Sequence, residues 1–484
     1  MAPDPTQLPD LHALLPRELA AELLALGQSG GAEFAEIYAE HTVQSAFTLE
    51  EERLKTSQCA VHQGVGVRAV RGEQTGYAYA DGFSPDDLRE AARVAARIAR
   101  DRAAAASGAG GAPRAFRVVD APAPFTLERP VPVALDEGGK VALCRRANDT
   151  ARAHDARVHE VTVALADSAR RFVVANSDGL WAEDRQYLTR LSVVALALEG
   201  NGRQQGFAAG GGCVEADYFE RERTPEAIAS EAAGTAVTLL GAREPVAGAY
   251  PLVVGPGWGG VLVHECFGHG MEGDTIQRGT SIRATQMGQR VAARGVTIVD
   301  SGLVPYSRGS FRVDDEGTVA QRTVLVEDGI LVGYLWDWLN AKLSGNRPTG
   351  NGRRNSYRDF PLCRMTNTYI DAGPDAPETL IAPIRQGLYC KSLGGGSVNP
   401  ADGNFSFQVT EAYQIEDGRL TWPVRDATLT GNGNDAMLKI DAVANDLRID
   451  GTTGSCGKDG QWKPVGVGQP TVRFTEFTVG GTIA

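Results

Sequence analysis

Leu and Ala recur at helical spacing over residues 16–26, behind a proline and ahead of a Gly-containing loop, which predicts a short amphipathic helix. The period then changes. Residues 33–38, 45–50, 64–69 and 74–79 are β-rich and partly alternating between Gly or charged turns, which predicts strands. Ser84-Pro85-Asp86-Asp87 offers a cap, a first-turn proline and two acids before an Ala/Arg helix over 88–106. A Gly/Ala/Pro linker at 108–113 and a Pro-rich stretch at 122–132 form the clearest compositional break. Strands are predicted again at 158–165, 171–176 and 187–197, with Ser177-Asp178-Gly179 as a tight turn, and a helix at 226–240. After a short apolar strand at 250–254 the chain reads mostly as strands with Gly-rich turns. These include a hairpin of 405–415 and 419–423 joined by Glu416-Asp417-Gly418. The pattern predicts an α+β protein. N-terminal α/β domains of helices packed on mixed sheets, at 1–112 and 113–245, precede a mostly β C-terminal domain at 246–484 that carries one apolar, His-bearing helix.

Composition narrows the function. The 484 residues include 48 basic and 60 acidic side chains, a net charge of −12, with no basic run to track a phosphate backbone, so nucleic acid is disfavoured. With 42% hydrophobic and 22% charged residues the chain can build cores. Met1 to Pro16 lacks a basic segment followed by an apolar one, so no secretory signal is expected and the cytoplasm is the expected compartment. The longest stretch without charge or His, 245–263, is broken by Pro245, Pro251 and Pro256, so no membrane span is expected. The seven cysteines are scattered and form no CxxC pair, which argues against a disulfide framework or a zinc ribbon. A cysteine with a role would act as a thiolate.

The segment with chemistry is 257–270, GWGGVLVHECFGHG. It is similar to a zincin helix, in which two histidines four residues apart bind one zinc and the Glu after the first is the general base. Here His264 and His269 are five apart, and an ideal helix would set them about 140° apart, unable to share an ion. Two backbone solutions repair this: a π-bulge, or a helix that ends at Gly268 so that His269 folds back from the following loop. The glycines flanking His269 favour the second. A catalytic zinc needs a third protein ligand and an open position. Cys266 lies only two residues from His264 and so points away from it on a helix, a small buried hydrophobe by its setting. Cys456 is the better candidate. It sits in Gly454-Ser455-Cys456-Gly457-Lys458-Asp459-Gly460, too Gly-rich to pack as core, with Lys458 near to favour the thiolate. Glu272 and Asp274 remain alternative oxygen ligands or partners of the histidines. The preceding Gly255-Pro256-Gly257-Trp258-Gly259-Gly260 lacks the GK[ST] ending of a phosphate loop and matches no dinucleotide fingerprint.

Together these segments resemble the TldD/PmbA family of cytosolic metallopeptidases. His264 to Asp274 is similar to that family's HExxxHxxEGD segment. Arg364 to Tyr369, Gly394-Gly395-Gly396 through Asp402 to Phe407, Pro423-Val424-Arg425 through Gly431-Asn432, and Gly454 to Gln461 resemble its later motifs in the same order. Gly64 to Arg68 and the helix from Ser84 resemble its first domain, so the likeness spans nearly the whole chain.

The resemblance implies a TldD-type, metal-bearing subunit, because PmbA (TldE)-type proteins lack the metal-binding set. It carries one Zn2+ per chain onto His264, His269 and Cys456, with Glu265 as catalytic base for water attack on a peptide carbonyl. A second electrophile is not identified; Lys458, Arg364, Tyr369 and Tyr389 are candidates. The family likeness further implies a homodimer, or a heterodimer with a PmbA (TldE)-type subunit, enclosing a chamber for peptide or unfolded polypeptide substrates. The strands around 397–410 could take an extended peptide by strand addition. The reading from another class is a non-catalytic peptide-binding subunit of a peptidase complex, and metal content discriminates between them.

Overall fold

The computed structural model describes residues 8–102, 114–399 and 401–481; the linker expected at 108–113 and the end of the helix expected to reach residue 106 lie outside them. The protein is α+β. Helix α1 (Arg17–Gln28) is followed by β1 (Phe34–Glu50), β2 (Arg53–Arg71), β3 (Gln74–Asp81) and α2 (Pro85–Arg102). After the linker come α3 (Glu137–His154), β4 (Val158–Asn176), β5 (Leu180–Glu199), β6 (Gly202–Gly212) and α4 (Pro225–Leu240). The six strands form one antiparallel sheet in the order β3-β2-β1-β4-β5-β6. It runs without interruption across the compositional break, because β1 pairs with β4 from Glu36↔Asn176 to Glu50↔Thr162.

Residues 33–38 and 45–50 belong to one strand of 17 residues, and 158–165 and 171–176 to one of 19. The polar residues between them, such as His41 and Arg170, suggest breaks but sit mid-strand with partners on both sides. Helix α3 has no clear apolar stripe and carries Gly138-Gly139 in its first turn, so the periodicity does not reveal it. Asp136 caps it by accepting the Gly139 N–H at 2.8 Å. One sheet face is apolar and covered by the helices, with Leu23, Ile37, Val67 and Ala95 in one cluster and Leu143, Val163, Val193 and Ala232 in another.

The other face meets the C-terminal half through buried charge. Arg68 contacts Glu36 at 3.0 Å and Glu316 at 2.7 Å, Arg354 also pairs with Glu36, and Asp315 takes Arg170 and, at 3.3 Å, Lys463. Glu36, Arg68 and Arg354 are each at most 2% exposed, so none of these charges has water as an alternative partner.

The C-terminal half contains two large sheets and two two-stranded ribbons. In the first, Gln386–Val398, Gly248–Val254, Val472–Gly480, Thr428–Asn432 and Asn404–Glu416 pair in sequence, and the last strand pairs back to the first, closing a small barrel. In the second, Asn367–Ile370 lies between Ile298–Ser301 and Gly466–Gln469. The helix Val261–Cys266 packs between the two, with Val261, Leu262, Val263 and Cys266 in the same core as Phe407, Val467 and Phe474. Its approach is set by a glycine pair: a Cβ on Gly260 would lie 2.4 Å from the backbone of Gly468.

Two substitutions test this account by denaturant unfolding. Glu36→Ala removes the carboxylate that Arg68 and Arg354 share, leaving Arg68 with Glu316 but Arg354 with no carboxylate partner, and should cost about 3–5 kcal/mol. Gly260→Ala forces backbone apart where no rotamer can yield, and should cost about 1–3 kcal/mol. Unchanged stability in either variant would contradict the contact it removes.

Candidate metal centre

The helix Val261–Cys266 presents His264 and Glu265, then breaks at Phe267, whose backbone takes φ −124° and ψ −52° while its N–H still bonds the Val263 carbonyl at 3.0 Å. A 3-10 turn, Gly268–Met271, follows and carries His269. The five-residue spacing is thus accommodated by ending the helix, two residues earlier than the glycine-based expectation, and by no π-helix. Gly268 is required by closeness: a Cβ there would lie 1.9 Å from the Met365 sulfur. The imidazoles of His264 and His269 stand 5.3 Å apart between centroids and nearly perpendicular, at 84°.

Cys456 arrives from the far end of the sequence on the hairpin of Ser455–Lys458 and Gln461–Pro464. One ligand atom from each of His264, His269 and Cys456 lies within 4.8 Å of the others, and Cys456 Sγ is 3.4 Å from His269 Nε2. The Nδ1 atom of His264 is buried with no hydrogen-bond partner. Two imidazoles and a thiol gathered out of water form a mixed N/N/S donor set that fits a borderline-soft divalent metal. Cys266, by contrast, is buried in the apolar core, and burial holds its thiol well above the usual range.

Electrostatics supports the same division of roles. Burial pushes the Cys456 thiol up, but the charges and hydrogen bonds of His264 and His269 overcome it and bring the thiol well below its ordinary value. Burial depresses His269, yet the Glu272 carboxylate and Cys456 raise it well above the usual imidazole range. Glu265 reaches to 3.8 Å from His269 Nε2, and burial raises its carboxyl against the pull of the two histidines. A raised carboxyl beside the donors suits a group that takes and returns a proton.

Glu272 and Asp274 fall behind the donors. Glu272 Oε2 lies 3.2 Å from His269 Nδ1, leaving Nε2 turned toward Cys456. Burial alone would raise Glu272, but Lys458 and His269 hold it at about 2. Lys458 donates to Glu272 at 2.9 Å, to Asp274 at 2.6 Å and to the Cys363 carbonyl at 3.2 Å. It therefore ties the hairpin of Cys456 to the turn of His269. Arg364 donates to the Cys456 carbonyl and, at 3.2 Å, to that of Gln461, fixing the hairpin from its other side. Tyr369 interacts with Arg322 and Asp371, and Tyr389 lies against Gly255, so neither is brought to the donors. Asp300 is an organiser that no spacing pattern reveals. It accepts from Thr366, Thr368 and Asn351, and so holds the strand behind Met365 against the turn.

Residues 35–99, 131–240 and 247–481 match the first, central and C-terminal domains of the PmbA/TldA metallopeptidases. A metalloprotease TldD homolog of Haemophilus influenzae is 40% identical, covering 93% of each chain. A zinc metalloprotease TldD homolog of Saccharolobus solfataricus is 30% identical over 51% of this chain and 55% of its own. In structure, TldE from Thermococcus kodakarensis superposes with a TM-score of 0.76 over 96% of this chain and all of that one, at 20% identity, a likeness of fold. The HExxxH turn and its distant cysteine thus stand in a chain that belongs to the PmbA/TldD family and is a metallopeptidase.

Proposed function

We propose that the protein is a zinc-dependent peptidase that hydrolyses peptide bonds in unfolded or short peptides, with one Zn2+ held by His264, His269 and Cys456. The observation that carries this reading is the convergence of those three donors with Glu265 beside them. The zinc in the name of the S. solfataricus relative supports the choice of metal. When bound, the ion supplies Lewis acidity toward the scissile carbonyl and the attacking water.

The chain's own residues do the rest. Glu265, raised by burial, receives the proton of the attacking water at its carboxylate and returns it to the leaving amine. Glu272 fixes the orientation of the His269 ring, and Lys458 keeps Glu272 ionised. The strand Gln386–Val398 pairs with Gly248–Val254 only at Leu388, Tyr389 and Cys390, so its edge beyond Cys390 has no second neighbour among the described residues. The strand packs beside the helix of His264, and we assign to its free edge the extended peptide, bound by main-chain hydrogen bonds that read no particular side chain. Two subunits, either two copies or this chain with a TldE-type partner, would enclose the site in a cytoplasmic chamber. The fold shared with TldE supports a pairing of like-shaped subunits.

Elemental analysis beside a peptide-cleavage assay tests the assignment. Glu265→Ala should keep near-stoichiometric zinc and lose cleavage by at least about a hundredfold, whereas Cys456→Ala should lose both. Full turnover in Glu265→Ala would sink the general-base role, and zinc retained in Cys456→Ala would remove the thiolate from the site.

A further inference from the structure

Behind the Cys456 hairpin lies a cavity of about 570 Å3, between the polar face of the large sheet and the C-terminal half. Trp462, Lys463 and Pro464 of the hairpin form part of its wall, and Lys463 and Pro464 pair across the ribbon with Cys456 and Ser455. None of His264, Glu265 or His269 lines it, so it is a neighbour of the donors and not part of their site.

The wall is cationic although the chain as a whole is acidic. Arg170, Arg190, Arg308, Arg353 and Lys463 line it, against Glu40 and Asp167. Asp167 is engaged by Lys140 at 2.8 Å, whereas Glu40 accepts from the Thr42 hydroxyl at 2.6 Å through one oxygen and leaves the other buried without a partner. Lys463 and Arg170 share Asp315, and Arg353 donates to the Met365 and Pro464 carbonyls. Arg190 and Arg308 differ. Arg190 makes no ion pair or hydrogen bond among the described residues, and burial depresses its guanidinium. Arg308 donates to the Thr452 carbonyl at 2.8 Å but leaves a buried Nε without an acceptor, and burial and the charge of Arg190 lower it to about 10. Asp450, whose charge acts on both, uses its carboxylate to accept from Thr452 and Thr453. Three further lining residues carry a buried polar atom with no hydrogen-bond or ion-pair partner: Arg170 and Thr189, and on the acidic side Glu40.

An anion placed between two half-buried, mutually repelling guanidinium groups would relieve their repulsion and satisfy the unpartnered donors of Arg308 and Arg170 beside them, at the cost of approaching Glu40. We propose that this cavity is a subsite for a carboxylate of the substrate peptide, either its C-terminus or an Asp or Glu side chain, received by Arg190 and Arg308. The volume admits a peptide end and excludes a folded chain. Arg308 is anchored to Thr452, four residues before Cys456, and an extended peptide advances about 3.3 Å per residue. A carboxylate in the cavity would be joined to a bond at the donors by a short extended stretch passing the hairpin, to which Trp462, exposed at the wall, offers an apolar face. The acidic net charge would favour basic or neutral peptides, but a local wall outranks a global charge when the groups are partly desolvated.

The inference rests on the peptidase reading for its ligand, and its test is separable from it. Zinc-loaded Glu265→Ala protein, with and without Arg190→Gln, is titrated by fluorescence anisotropy with one labelled hexapeptide. The peptide is made with a free or amidated C-terminus and with a central Glu or Gln. The carboxylate form should bind about tenfold tighter than its amide partner, and Arg190→Gln should abolish that preference. Which carboxylate matters identifies the source. Equal affinity for acid and amide with Arg190 intact, or a preference that survives Arg190→Gln, would overturn the proposal. If wild-type protein cleaves none of the four peptides while the preference is present, the peptidase reading fails and the anion subsite stands.

Discussion

The arrangement depends on one ionic tie between distant parts of the chain, Lys458 between Glu272 and Asp274. A turn carrying His269 and a ribbon carrying Cys456 have no sequence reason to meet, being 187 residues apart. Their facing groups, an imidazole and a thiol, are weak partners alone. Lys458 supplies the attraction, and because both acids and the amine are largely withdrawn from water, the tie is not screened as a surface pair would be. The same contact keeps Glu272 ionised against His269, so the ribbon's position and the ring's orientation have a common origin.

Around this tie the protein is built from close approaches and buried charge. Gly260 on the strand of Gly468 and Gly268 on the Met365 side chain let a short helix and a tight turn pack closely against their neighbours. On the other side of the ribbon, Lys463 joins the Asp315 cluster that connects the C-terminal half to the large sheet. Buried pairs of this kind contribute little net stability against a well-packed apolar alternative, but breaking one is costly, so they favour a fixed register between the halves. The ribbon is thus held from both faces.

Much of this is legible in the residues. His264, Glu265, His269 and Cys456 stand out because histidines are few, the acid follows one of them, and the late cysteine sits in a Gly-rich segment that reads as a loop, although it folds as a hairpin strand with Cys456 buried at the edge of the core. The α+β class follows from the change of period along the chain, and helices α1, α2 and α4 carry their caps or prolines in plain view. Other features are tertiary and leave no local mark. The break at Phe267 lacks the left-handed glycine that ends many helices. Helix α3 has too weak a stripe to be read, and the long strands β1 and β4 carry polar residues at positions whose neighbours in the sheet make them acceptable. Arg190, whose side chain has no ion pair or hydrogen bond among the described residues, and the roles of Asp300 and Arg364, whose partners lie 51 to 97 residues away, are encoded by no spacing rule.

The central claim, that two imidazoles and one thiolate hold a single zinc, is tested most directly by X-ray absorption at the zinc edge on protein purified without chelator. The account predicts near-stoichiometric zinc with one sulfur and two imidazole scatterers, and loss of the sulfur contribution in Cys456→Ala. Zinc without sulfur in the wild-type spectrum, or no zinc after reconstitution, would contradict it.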